Sequence, residues 1–86
     1  MSRYKDLDTN IKAKYMEMFD ELLGIVEDER FDWDKKYNFC FESGLQSEMQ
    51  ELYIVKYYDP RGSYQDDVMA FFLAAKAACE DMGWLE

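Results

Sequence analysis

The side chains here that can do chemistry are carboxylates, thiols, phenols and a few amines; the sequence has no histidine. That removes imidazole acid–base catalysis, His-based triads and His-ligated metals. Acid–base or nucleophilic work would then need paired carboxylates or an activated Lys, Cys or Tyr. Carboxylates are plentiful, but no spacing singles out a pair. Cys40 and Cys79 lie 39 positions apart. Zinc and redox sites need close Cys pairs or four ligands, so both read as reduced, buried thiols acting as small hydrophobes. Cys79 also falls on an apolar helical stripe, the wrong setting for a reactive thiolate. No Gly-rich phosphate loop is present. The expectation is a non-enzyme with no cofactor and no metal site.

The acids are concentrated. Glu17, Asp20, Glu21, Glu27, Asp28, Glu29, Asp32 and Asp34 fall between positions 17 and 34, opposed there only by Arg30. That is a local net charge of −7 out of the chain's −9. A calcium loop of the EF-hand type wants acids or Asn at its first, third and fifth positions and Gly at its sixth. Starting at Asp32, the fifth and sixth are Lys36 and Tyr37; starting at Asp28, the third is Arg30. Both registers fail, and an ion-binding role ranks last.

The charge has a helix to sit on. Ile11, Tyr15, Met18, Phe19, Leu22, Leu23 and Val26 recur at spacings of three and four, which predicts a helix from Thr9 or Asn10 to about Glu27 with one buried stripe. Asp8, Thr9 and Asn10 can each cap it, and Gly24 is a weak point that could end it early. Glu17, Asp20, Glu21, Glu27 and Asp28 then share the opposite face. Like charges at these spacings each cost about 0.2–0.5 kcal/mol. Acids at the C-terminal end and Lys12 and Lys14 near the N-terminal end both oppose the helix dipole. Local conflict of this kind gathers at functional sites; the face reads either as a solvated surface that keeps a small protein soluble or as an electrostatic docking surface for a basic partner. From Glu17 to Asp28 the helix rises ~16 Å, about five phosphate spacings along one DNA strand.

Two further elements are expected in the middle. Tyr37, Phe39 and Phe41 alternate with Asn38, Cys40 and Glu42, a strand-like period of two. Residues 52–58 are rich in β-branched and aromatic side chains and end in the turn signal Asp59-Pro60-Arg61-Gly62. Leu45 to Glu51 fits either a helical turn or a hairpin loop; two antiparallel strands are favoured. The last helix is the best marked. Ser63 with Asp66 approximates a capping box, Asp66 and Asp67 suit a helix N-terminus, and Gly83 is a stop. Val68, Phe72, Ala75 and Cys79 form its stripe, flanked by Phe71, Ala78 and Met82, with Ala70, Ala74 and Ala77 on the far side. The order helix, strand, strand, helix predicts an α+β fold: two helices packed on a small antiparallel sheet, one two-layer domain spanning residues 1–86.

Size and composition bound the function. With 86 residues there is room for one core, and 49% hydrophobic and 17% aromatic content argues for a packed one. Net charge −9 opposes direct nucleic-acid binding, which needs a basic footprint. The longest apolar run, positions 68–75, is far below the ~20 residues of a membrane span, and the start Met1-Ser2-Arg3-Tyr4-Lys5-Asp6 lacks the apolar core of a secretory signal. A soluble cytoplasmic protein is expected, in the host's cytoplasm if it is viral.

The aromatics exceed what one small core buries. On the second expected strand Tyr53, Val55 and Tyr57 share a face that would meet solvent if the other covers the helices. Phe31 and Trp33, set within the acidic run, suit a basic and partly apolar protein surface. The candidate partner-binding residues are therefore Glu17, Asp20, Glu21, Glu27, Asp28, Phe31, Asp32, Trp33 and Asp34. The size, acidity and aromatic content resemble the small acidic inhibitors that phages encode against host nucleases, restriction systems or transcription, some of which mimic DNA charge. The resemblance is one of composition; it implies an inhibitor or modulator that occupies a basic, nucleic-acid-binding surface of another protein, and it transfers no site residue. The alternative is a structural or assembly module, homodimeric through the apolar last helix.

Overall fold

The computed structural model describes residues 2–51 and 62–84. They form an all-α domain with no strand among them. Helix α1 spans Ser2–Glu27, α2 Trp33–Tyr37, α3 Leu45–Glu51 and α4 Tyr64–Asp81; a π-helical turn, Asn38–Glu42, continues α2.

The expected sheet is overturned. Residues 37–42 alternate over too few positions to separate a strand from a helix, because Tyr37 and Phe41 are also one helical turn apart. Their rings do meet across that turn, with centroids 4.7 Å apart. The local signals favour the helix. Asp32 is the N-cap of α2 and accepts from the Lys35 N–H at 3.0 Å; Asp34 lies in the first turn and Lys35 and Lys36 in the last. The Ser43 N–H then donates to the Asn38 carbonyl at 3.1 Å, the five-residue step of a π-helix. Gly44, at φ 97, makes the left-handed break, and its carbonyl accepts from the Glu48 N–H to start α3. Leu45 to Glu51 is thus the helical alternative of the two weighed. The second expected strand, 52–58, and its turn lie outside the described residues.

Helix α1 begins at Ser2, well before the expected caps at positions 8–10, and ends at Glu27 without breaking at Gly24. Most of its predicted stripe packs: Tyr15, Phe19 and Leu22 are buried, with Met18 and Val26 against them, whereas Ile11 and Leu23 are half-buried outside the core and Met16 and Ile25 pack on it instead. Helix α4 follows its cap signals, but Phe71 rather than Phe72 is the fully buried ring, and Ala74, expected on the far side, packs against the core. Ser63 accepts from the Asp66 N–H at 3.1 Å. At the other end the Gly83 N–H reaches the Glu80 carbonyl and the Trp84 N–H the Cys79 carbonyl, with Gly83 at φ 76, a Schellman closure.

The core is where α1, α3 and α4 meet: Tyr15, Phe19 and Leu22 against Leu45 and Met49, and against Val68, Phe71, Ala75, Ala78 and Cys79, with Cys40 inserted from the π-turn. Phe19 stacks on Phe72 at 5.6 Å. The Tyr15 hydroxyl donates to the Ala75 carbonyl at 2.9 Å, which ties α1 to α4 and satisfies a fully buried polar atom. Burial pushes the Tyr15 phenol pKa up. Among the described residues no helix is long and apolar enough to cross a membrane.

Candidate functional site

The nine sequence-predicted site residues divide into two groups, according to whether the fold uses them itself. Glu17, Asp20, Glu21 and Glu27 stand exposed on the outer face of α1. None makes an ion pair with another described residue; the one such pair is Arg30–Asp28. Gly24 is exposed at the centre of this face, and a Cβ there would meet nothing within 4 Å. Four carboxylates therefore project along ~15 Å of helix with no ion pair among the described residues.

The residues after Glu27 build a corner. Asp28 lies just past the helix rather than on its face. Its carboxylate accepts from the Arg30 backbone N–H and Nε at 3.0 Å each and from Nη2 at 2.8 Å. These bonds, with the guanidinium charge, hold its pKa down at about 2. The same guanidinium lies 5.3 Å from the centroid of Phe31, whose ring meets Phe39 edge-on. Asp32 is occupied as the α2 cap. Trp33 is half-buried against the core and carries the Lys36 ammonium 4.3 Å from its ring centroid. The fold thus gives Asp28, Phe31, Asp32 and Trp33 internal partners. Asp34 is exposed on α2 and is not tied into the corner.

Lys36 was not singled out in the sequence, yet it explains how the acidic end of α1 is tolerated. It is 5% exposed, and its Nζ donates to the Val26 carbonyl at 2.6 Å. The last carbonyls of a helix lack internal donors and carry the negative end of its dipole. An ammonium delivered from α2 supplies both donor and charge, where α1 itself has no base in its last turn. A lysine ten positions beyond the carbonyl it caps leaves no local spacing signal.

On α4, Glu80 and Asp81 are exposed as well. Burial first, then Glu80 and Asp20, push the Cys79 thiol up to about 11, so carboxylates of both helices lie near this sulfur. Cys40, by burial and then Glu21, is pushed up to about 12. Both thiols are buried and in no disulfide, and Cys79 Sγ donates to Met16 Sδ at 3.7 Å; burial keeps both protonated at neutral pH. Among the described residues no group of three or more Cys, Asp or Glu is arranged to hold a metal ion. What the arrangement can do is present negative charge along one face of a helix. Comparison of the chain with family models, curated proteins and solved structures found no match.

Proposed function

We propose that this protein is a small acidic inhibitor or modulator that docks the outer face of α1 on a basic, nucleic-acid-binding surface of another protein. The observation that supports it is the division of the acids. The fold supplies partners for Asp28 and Asp32, whereas Glu17, Asp20, Glu21 and Glu27 are exposed on one face with no ion pair among the described residues. Repulsion among them is a standing cost that contact with a basic surface would relieve. Such a face speeds association by electrostatic steering and makes it salt-sensitive. No covalent chemistry is involved. Two buried free thiols suit a reducing compartment, and we place the protein in the cytoplasm, the host's if it is viral.

The test is affinity capture from lysate with the wild type and with a variant carrying Glu17→Gln, Asp20→Asn, Glu21→Gln and Glu27→Gln. The reading expects basic nucleic-acid-binding proteins on the wild type, released at about 1 M salt, where the Debye length is ~3 Å, and absent from the variant. The same proteins retained equally by the variant would refute it.

A second reading, an assembly module paired through α4, is supported by Leu73, which is 56% exposed, with Ala77 exposed beside it. Ala74 packs against the core, so Leu73 and Ala77 are the positions to test. A monomer at all concentrations by light scattering would remove this reading.

A further inference from the structure

The corner between α1 and α2 shows how this chain accommodates a cation. Arg30 combines the Asp28 carboxylate with the Phe31 ring, and Lys36 combines the Val26 carbonyl with the Trp33 ring. Each base has an oxygen acceptor and an aromatic face together. Across the α2–α4 junction the same two components recur, with no cation on them among the described residues. Tyr64, the first residue of α4, is 50% exposed, and its ring centroid lies 4.8 Å from that of Tyr37, the last residue of α2. Asp34 sits three residues before Tyr37, on the same side of α2, and is exposed with no ion pair to a described residue. Tyr37 is braced from behind by Phe41, which packs on buried Phe71, so the outer ring pair rests on the core. The positive end of the α4 dipole would oppose a cation here, but Asp66 and Asp67 in its first turn offset it.

We propose that Asp34, Tyr37 and Tyr64 receive an arginine of the partner, its guanidinium lying against the Tyr64 ring and pairing with the Asp34 carboxylate. This deepens the preceding section's reading that the partner is a basic protein. It adds a second contact, distinct from α1, with its own chemistry. The face of α1 offers charge alone and does not distinguish Arg from Lys. A ring beside a carboxylate does, because the planar guanidinium stacks and forks where an ammonium is a compact point charge.

The test uses the full chain and two capped peptides, tetra-arginine and tetra-lysine, titrated at low salt with NMR detection of the aromatic ring signals. The proposal expects tetra-arginine to bind about threefold or more tighter, with the Tyr64 ring signals moving. Tyr64→Ala with Asp34→Asn should equalise the peptides. Both positions are exposed, and circular dichroism checks that the helices persist. The α1 variant with four neutralised acids should bind both peptides more weakly and keep the arginine preference. Equal affinities for the wild type, or a preference that survives Tyr64→Ala with Asp34→Asn, would overturn the proposal. Loss of lysate capture in the α1 variant is read separately, so the two claims can fail independently.

Discussion

Lys36 is the most demanding test of how the acidic segment is held. In Lys36→Met the chain keeps its length and its apolar stem but loses the ammonium. The bond from Nζ to the Val26 carbonyl is charge-assisted, worth about 1.5–3 kcal/mol net. The contact with the Trp33 ring at 4.3 Å adds about 0.5–2 kcal/mol. Opposing both is the desolvation of an ammonium that is 5% exposed, of the order of several kcal/mol before relaxation. Substitution removes that cost too, but it strands a carbonyl at the end of α1 that has no helical donor, at about 1–3 kcal/mol. Gains and losses of the charge itself therefore roughly cancel, and the stranded carbonyl decides the sign. A loss of about 1–3 kcal/mol is expected. With an m-value of about 1 kcal/mol/M for a chain this small, the urea midpoint falls by about 1 M or more at unchanged m. Lys35→Met, at an exposed neighbour, should stay within about 0.5 kcal/mol. A Lys36→Met protein as stable as the wild type would show that the corner is not held by this lysine.

Three other outcomes follow from the same structure. Gly24→Ala should raise stability by about 0.5–1 kcal/mol in the same urea assay, since the site is helical, exposed and open to a Cβ; destabilisation would mean α1 is not continuous there. Asp28→Asn addresses pH. Its folded pKa of about 2 lies below the ordinary 3.8, so the wild type's advantage is fully present above pH ~4 and fades as pH falls toward 2. Denaturation from pH 7 to 2 should show the two proteins converging in that window, and a pH-independent difference would contradict the assignment. Finally, Cys40 and Cys79 should resist a thiol reagent at pH 8 in the native protein and react only on unfolding; rapid native labelling would mean these helices open readily.

Where the sequence announced its structure, it did so through period and caps. The stripe of Tyr15, Phe19 and Leu22 and the bracket of Ser63 and Gly83 around α4 are visible because their partners lie within a turn or two. The middle misled because Tyr37, Phe39 and Phe41 satisfy both a period of two and, at their ends, a helical turn. The better guide was polar: Asp32 followed by Lys35 and Lys36 marks a short helix by its cap and charges. The acidic face of α1 was legible from helical geometry alone. That Asp28 and Asp32 are used internally was less so, because an Asp serving a turn or cap looks the same in sequence as an Asp facing solvent. Lys36 could not be found at all, since its acceptor is a backbone carbonyl that any residue provides. The pairing of Tyr37 with Tyr64 depends on how α2 meets α4, a matter of tertiary packing.

In the function proposed here, α1 occupies a surface otherwise used by nucleic acid. The most direct test is competition. Labelled duplex DNA is bound to a basic protein captured by the wild type, and the complex is titrated while anisotropy is followed. The wild type should displace the DNA, and the variant neutralised at Glu17, Asp20, Glu21 and Glu27 should not. DNA that stays bound while the wild type binds alongside it, or that the neutralised variant displaces equally well, would contradict it.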